Sequence, residues 1–268
     1  MPSADKRQRQ KENARLAREA REAALKKRRR NRTIRNAAIA VGVFVVAILL
    51  VTWLGGGNKK KVVASPSSSS TPPTTAVAAA YPAGCVGTVP KTTTKPTNLK
   101  APAMTIDSSK TYVATMTTSC GEVKLALDAK NAPKSVNNFV SLARLGYFDG
   151  LKWHRISTSP PIVQGGDPLG NGNGGPGYST PVELPPDGKY PAGAVAWAKT
   201  SSAPDGSAGS QFFIDTGDAS SIGSHYGYVG KVSSGLANVQ KMAKLVPASG
   251  DGAPARPLYI YKVTISES

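Results

Sequence analysis

Hydrophobic and polar side chains alternate along residues 111–128 in two runs, which are separated by the triplet Ser119-Cys120-Gly121. Alternation of this kind is typical of β-strands with one buried face, and a short polar break between two such runs favours a hairpin. The pattern therefore predicts a hairpin followed by further short strands. The runs assigned to those strands are residues 151–156, 161–167, 194–198, 210–215, 226–232 and 258–266.

Two segments interrupt the strands with the spacing of amphipathic helices. The first, residues 129–148, has Pro133 in its first turn, and Gly146 closes it. The second is residues 236–245. Many short strands and two isolated helices predict a mainly β domain over residues 104–268, an antiparallel barrel with helices at its ends. The apolar face of the first helix consists of Val136, Phe139, Val140 and Ala143.

Residues 37–54 form a run of eighteen residues without a charge. A helix of that length spans about 27 Å, enough to cross the hydrocarbon core of a bilayer. Arginines cluster just before the run and Trp53 lies at its far end. The positive-inside rule then predicts a single transmembrane helix over 36–54, with a cytoplasmic N-terminus and an extracytoplasmic C-terminal domain in the cell membrane. The alternative is a cleaved signal peptide, which the long leading segment disfavours.

Basic residues are concentrated in a predicted cytoplasmic arm, residues 1–35. This arm contains 14 Lys or Arg and 4 acidic residues, a net charge of +10 out of +18 for the whole chain. Two interpretations of the arm are open: it is a solvated helix or disordered tail, or residues 5–35 are attracted to anionic lipid headgroups. A nucleic-acid-binding arm is disfavoured because no aromatic residues are interleaved with the basic ones. A separate hypothesis makes the arm the functional part, docking cytoplasmic partners or lipid.

Residues 55–103 are rich in Pro, Ser and Thr and predict an extended linker. With the predicted topology, Cys85 and Cys120 both lie outside the cell, where disulfides persist. A bridge between them would join the end of the linker to the first hairpin. The alternative is two unpaired thiols, and the sequence leaves this open.

Several chemistries lack their usual residues. Two Cys and two His exclude a four-cysteine zinc site, and neither a GxSxG nor an HExxH motif occurs. Gly170, Gly172 and Gly175 match GxGxxG, but Pro176 follows and no helix begins there, so we interpret this segment as a loop. Conventional hydrolysis is therefore not indicated, and no metal or cofactor is implied.

Three separated motifs remain: Trp153-His154-Arg155, Gln164–Pro168 and Gly209–Ile214. These motifs occur in a fixed order, with the first helix before them and residues 226–232 after them. In this order they resemble the cyclophilin family of peptidyl-prolyl cis-trans isomerases, and the resemblance covers residues 110–266. The resemblance implies a closed eight-stranded antiparallel barrel capped by two α-helices. It also implies an active groove on the outer surface of the barrel and no cofactor.

The resemblance assigns catalytic roles to four residues. Arg155 donates a hydrogen bond to the nitrogen of a twisted X–Pro amide, Gln164 orients the arginine or the substrate, Phe213 is the floor of the proline pocket, and His154 frames the site. The alternatives are an exposed strand charge for Arg155, core packing for Phe213 and a strand-edge polar side chain for Gln164. Further substrate-binding positions are Ile162, Ala198, Gln211, Ile222 and Tyr226.

Some positions depart from the family pattern. The spacing from His154 to Gln164 is one residue longer than usual, and the sequence STSPP at 157–161 replaces a stretch that ends in an apolar aromatic residue. Lys199 stands where the family has asparagine, and the loop 200–209 is longer. Tyr226 stands at the position of a groove histidine, with His225 beside it.

The sequence thus predicts a membrane-anchored, monomeric peptidyl-prolyl cis-trans isomerase that assists the folding of extracytoplasmic Pro-containing polypeptides. The alternative function is a catalytically weak cyclophilin-like module that binds Pro-containing segments as a chaperone or scaffold. Nucleic acid is not an expected partner.

Overall fold

The computed structural model describes residues 79–91 and 94–268. Within these ranges it contains eleven strands, two α-helices and one short 3-10 turn. The strands are β1 (Tyr112–Thr118), β2 (Gly121–Leu127), β3 (Arg155–Thr158), β4 (Pro161–Gly165), β5 (Thr180–Pro181), β6 (Ala194–Trp197), β7 (Ser207–Ala208), β8 (Phe212–Asp215), β9 (Tyr228–Ser234), β10 (Asp251–Gly252) and β11 (Ile260–Glu267). The helices are α1 (Pro133–Arg144) and α2 (Leu236–Ala243), and the turn is Ser220–Ile222.

The predicted arm, the predicted transmembrane helix and the linker up to residue 78 lie outside the described residues. None of the helices that the structure does describe is long and apolar enough to span a membrane.

Nine of the strands form one antiparallel sheet in the order β10-β3-β4-β8-β6-β9-β2-β1-β11, and β5 pairs with β7 separately. The predicted closed barrel of eight strands is therefore wrong in its strand count and its closure, because the sheet is a half-barrel with β10 and β11 at its ends. The physical reason lies before β3. Residues 150–153 meet residues 258–260 through single hydrogen bonds and one isolated bridge, Lys152–Tyr259, instead of a continuous ladder.

The first helix forms as the sequence predicts, because its apolar positions share one face. Val136, Phe139 and Val140 are fully buried against the concave side of the sheet. The ring of Phe139 lies 5.6 Å from that of Phe212 on β8. Pro133 occupies the first turn, where its missing N–H costs nothing, and Gly146 follows the helix with a φ of 62°. This packing fixes the sheet from inside and leaves its convex side for other contacts.

The described part of the predicted linker packs along the barrel. Cys85 forms a disulfide with Cys120, in the turn between β1 and β2. We call residues 94–107 the strap. Leu99 donates its N–H to the carbonyl oxygen of Pro176 at 2.8 Å, and the Asn137 amide on α1 bonds Ala103 and Thr105. Backbone polar groups at three positions of the strap thus find partners on the rest of the domain, which helps to order this Pro-rich stretch despite its composition.

Candidate active site

Strand pairing brings three predicted site residues together. Arg155 on β3 is opposite Gln164 on β4, and Gln164 is in turn opposite Phe213 on β8. The three side chains therefore lie in one row across three neighbouring strands, although they come from separate motifs. This register follows from the short hairpin between β3 and β4, which fixes which residues face each other.

A groove with a cavity volume of about 800 Å³ follows this row on the convex side of the sheet. A second cavity of about 730 Å³ adjoins it, and Gln164, Ala198 and Lys199 line both. The structure brings eight of the nine predicted site residues to the groove and places Gln211 in the second cavity; their roles stay predictions. The predicted residues that line the groove are His154, Arg155, Ile162, Gln164, Ala198, Phe213, Ile222 and Tyr226.

A chain of hydrogen bonds orients the polar side of the groove. Arg155 Nη1 donates to Gln164 Oε1 at 3.1 Å, and Gln164 Nε2 donates to Gln211 Oε1 at 3.0 Å. Gln211 Nε2 in turn donates to the carbonyl oxygens of Gly172 and Gly174, at 2.9 and 2.8 Å. Each amide is held at both ends, so Gln164 has one orientation toward the guanidinium. The loop with the GxGxxG spacing thus supports the site through backbone carbonyls.

The other edge of the guanidinium is held by a residue that the sequence analysis missed. Asp251 Oδ1 accepts from Arg155 Nε at 2.7 Å and its Oδ2 accepts from Nη2 at 2.8 Å. These two hydrogen bonds, which Arg155 donates and Asp251 accepts, raise the pKa of Arg155 and lower the pKa of Asp251. Both groups are therefore ionised at neutral pH. The two residues are 96 positions apart, and a two-residue strand leaves no periodic signal in the sequence.

The floor of the groove is aromatic. Phe213 is buried, and the Tyr226 ring meets it edge-on, with ring centres 5.4 Å apart. Tyr190, another residue missed from the sequence, is fully buried beneath them. Its hydroxyl donates to the carbonyl oxygen of Tyr226 at 2.6 Å and accepts the N–H of Tyr226 at 2.9 Å. Burial raises the pKa of Tyr190 to about 12, so its hydroxyl stays protonated and keeps Tyr226 in place.

His154 stands behind Arg155 and is mostly buried. Neither ring nitrogen has a hydrogen-bond partner. Burial lowers the pKa of His154 below its ordinary value, and the negative charge of Asp167 opposes the shift in part. The imidazole is thus neutral at physiological pH, and it frames the groove by its shape more than by its charge.

One rim of the groove is built by the positions that depart from the family pattern. Lys199 Nζ lies 3.4 Å from Asp205 Oδ1 and 5.5 Å from the centre of the Tyr226 ring. Asp205 Oδ2 also lies 2.9 Å from His225 Nδ1. The hydrogen bond to His225 is the largest influence that lowers the pKa of Asp205. The ammonium of Lys199 is thereby held between the two cavities by the altered loop.

Among residues 79–91 and 94–268, no three or more His, Cys, Asp or Glu side chains are grouped so that they could hold a metal ion. The groove offers instead a fixed cation beside an apolar aromatic floor. Such a pair can hold an apolar ring and stabilise charge or a lone pair that develops next to it.

Known proteins share this arrangement of elements. The crystal structure of a cyclophilin-type peptidyl-prolyl cis-trans isomerase from Cryptosporidium parvum, determined in the presence of the dipeptide Ala-Pro, superposes with a TM-score of 0.52 at 28% identity, covering 57% of this chain and 98% of that one.

Curated relatives point the same way. A probable peptidyl-prolyl cis-trans isomerase B of Mycobacterium tuberculosis is 37% identical over 167 residues, covering 56% of this chain and 53% of the relative. The chain thus spans about half the length of that relative. A peptidyl-prolyl cis-trans isomerase of Helicobacter pylori is 36% identical over 137 residues, covering 50% of this chain and 82% of the relative.

The family model described as cyclophilin type peptidyl-prolyl cis-trans isomerase/CLD matches residues 113–265. This range contains Arg155, Gln164 and Phe213 and all the strands from β2 to β10, together with most of β1 and β11. The chain therefore belongs to the cyclophilin-type peptidyl-prolyl cis-trans isomerase family.

Proposed function

We propose that this protein accelerates rotation about X–Pro peptide bonds in polypeptides that bind in the groove. The observation that carries the proposal is the guanidinium of Arg155, fixed beside the aromatic floor formed by Phe213. The Cryptosporidium structure with Ala-Pro supports a Pro-containing substrate.

The reaction needs no covalent chemistry. Rotation about the peptide bond has a barrier of about 18–20 kcal/mol, because conjugation makes the amide planar. At the twisted transition state the proline nitrogen has lost conjugation and presents a lone pair. A hydrogen bond from Arg155 to that lone pair is strong only in the twisted state, so it lowers the barrier without binding the ground state equally well. Each 1.36 kcal/mol gained in this way gives about a tenfold rate increase.

The groove supplies the other requirement, which is to hold the proline ring while the preceding carbonyl swings. The ring packs on Phe213, with Ile162 and Tyr226 as walls. The polypeptide before the proline extends past Ala198 toward the second cavity, where Gln211 presents polar groups. Proline is the residue that fits, because its ring is compact and apolar and its nitrogen carries no hydrogen that would oppose the guanidinium.

We place the isomerase domain outside the cell membrane, held by a single helix over residues 36–54. The uncharged run and the arginines before it support this placement. The substrates are then extracytoplasmic polypeptides in the course of folding, the protein acts as a monomer, and anionic lipid headgroups attract residues 5–35. Alkaline phosphatase fused after Ser268 should be active in bacterial cells, whereas phosphatase without its own leader, joined before Met1 of the full chain, should be inactive. Active enzyme from the second fusion alone would reverse the topology.

The activity is tested with the full chain in detergent micelles, by NMR exchange between the cis and trans forms of an Ala-Pro peptide. Arg155→Ala should lower the catalysed exchange rate by about 10- to 100-fold, because a charge-assisted hydrogen bond contributes roughly 1.5–3 kcal/mol. Arg144→Ala is the matched control, since Arg144 pairs with Glu267 on another part of the surface. Undiminished exchange with Arg155→Ala, in a protein that unfolds at the wild-type urea concentration, would contradict the proposal.

A second candidate function is a module that binds Pro-containing segments without useful turnover. The observation in its favour is Lys199, which stands where the family has asparagine and lines both cavities. This alternative predicts that a Pro-containing peptide binds, that the wild-type chain does not accelerate exchange, and that Arg155→Ala leaves the affinity unchanged.

A further inference from the structure

We infer that Asp251 is a positioning residue for the isomerase reaction, fixing the plane of the Arg155 guanidinium so that its unused N–H groups point into the groove. The inference rests on the proposed function and adds to it a residue that none of the sequence motifs contains.

The first step is the count of donors. A guanidinium has five N–H groups in one plane. Asp251 accepts from Nε and Nη2, and Gln164 accepts from Nη1, so three of the five are engaged on two different edges. One N–H on each Nη atom is left by these contacts. Because the guanidinium is planar, partners on two edges determine the direction of both remaining groups.

The second step is the rigidity of the partner. β10 pairs with β3, with Asp251 opposite Ser157 and Gly252 opposite Ile156. The N–H of Thr158 on β3 donates to the carbonyl oxygen of Gly250 at 2.9 Å. The loop that carries Asp251 is thereby attached to the strand that carries Arg155. The backbones of Asp251 and Arg155 are therefore held in a fixed position relative to each other.

The third step separates positioning from a contribution to stability. The Asp251 side chain is 48% exposed, and exposed ion pairs contribute little to the free energy of unfolding. Asp251 nevertheless lines the groove together with Arg155, unlike Glu267, which pairs with Arg144 on a different surface. A residue that stabilises little and lies at the reacting group is expected to affect the rate.

The carboxylate also has an opposing effect, since it offsets part of the positive charge that faces the amide nitrogen. Orientation outweighs this effect, because the hydrogen bond to a twisted nitrogen depends steeply on direction, whereas charge near the surface is screened by solvent. Removal of the carboxylate should therefore slow the reaction.

The test is peptide exchange by the full chain in micelles, with kcat and KM determined separately. Asp251→Ala should lower kcat about tenfold with KM nearly unchanged, since misplacement of a catalytic group costs rate more than ground-state binding. Asp251→Glu should recover part of the loss, because it restores a carboxylate. Glu267→Gln is the matched control and should match wild type.

Two further measurements decide the matter. In the Arg155→Ala background, Asp251→Ala should have no additional effect on kcat. The side-chain ¹⁵Nε–¹H signal of Arg155 should be sharp and slow to exchange with water in wild type and broadened in Asp251→Ala. The inference would be overturned if Asp251→Ala had a kcat equal to or above that of wild type. It would also be overturned if Asp251→Ala lowered kcat by the same factor in the Arg155→Ala background as in wild type. If wild type itself fails to accelerate exchange, the proposed function fails, and an unchanged Arg155 signal in Asp251→Ala separately rejects the positioning.

Discussion

The two faces of strands β4, β6 and β8 have different tasks. On the inner face, Val163, Val195, Trp197, Phe212 and Ile214 belong to the main hydrophobic core beneath α1. On the outer face, residues from the same strands form a separate small cluster under the groove. The members of that cluster that lie on these strands are Ile162, Ala194, Ala196 and Phe213.

This difference shows how one sheet can be stable and still carry a site. Since successive side chains of a strand point to opposite faces, each inward residue contributes to packing while its neighbour is available to the groove. Phe212 and Phe213 are adjacent and both buried, yet they lie in different environments. We therefore expect substitutions at alternating positions to separate stability from activity.

The largest effect is expected on the inner face. The Phe212 ring lies 5.4–5.6 Å from the rings of Phe139, Phe148 and Trp153. Phe212→Ala removes these contacts and leaves a cavity, so it should lower the free energy of unfolding by about 3–5 kcal/mol. Urea unfolding followed by tryptophan fluorescence measures this. A loss below about 1 kcal/mol would mean that the core is less well packed than the structure shows.

The next effect concerns Asp215, the last residue of β8. It is completely buried, and neither carboxylate oxygen has a hydrogen-bond partner. Burial, aided by the negative charge of Asp218, raises the pKa of Asp215 to about 8. In the unfolded chain the same group ionises near its ordinary value of 3.8. Between these values the folded state holds one more proton, so stability falls as pH rises, by up to about 1.4 kcal/mol per pH unit.

Asp215→Asn should remove this pH dependence, because the amide does not ionise. At pH 8 the variant should exceed wild type in free energy of unfolding by on the order of 2 kcal/mol. The gain comes from removing the ionisable group, and the cost of a buried amide without partners offsets part of it. Urea unfolding from pH 4 to pH 9 provides the measurement. Parallel profiles for the two proteins would show that Asp215 is ionised in the folded state.

The smallest effect on stability is expected at Phe213. Phe213→Leu keeps an apolar side chain, so the free energy of unfolding should change by less than about 1.5 kcal/mol. It removes the flat ring on which the proposed function places the proline, so kcat/KM for an Ala-Pro peptide should fall severalfold. Phe212→Leu is the matched control, which should keep kcat/KM per folded molecule. Equal losses of activity in the two variants would mean that the faces are not separated.

The sequence predicted the parts of the site that lie in continuous motifs. Arg155, Gln164 and Phe213 each stand in a recognisable segment, and strand pairing then places them side by side. Asp251 escaped prediction because its contact depends on a two-residue strand pairing across 96 positions. Tyr190 lies in a stretch rich in Gly and Pro that predicts only a loop, and its burial arises from the aromatic cluster around it.

The hydrophobic pattern of the sequence could not predict whether the sheet closes, for a related reason. Alternation along a strand reports which face is buried, and it says nothing about whether the two end strands meet. The disulfide was one of two open alternatives, because spacing does not determine the distance between two cysteines. The structure places Cys85 beside the turn that carries Cys120.

That disulfide also determines how force enters the domain. Cys85 precedes the strap, and its partner lies 35 positions further along, between β1 and β2. Tension applied from the N-terminal side passes through the covalent bond to Cys120 and enters the sheet at the turn between β1 and β2, so the chain from residue 86 to the end of the strap is bypassed. Tension on the chain before Cys85 therefore leaves the hydrogen bonds of the strap unloaded, so the wall that Thr97 contributes to the second cavity keeps its place under mechanical stress.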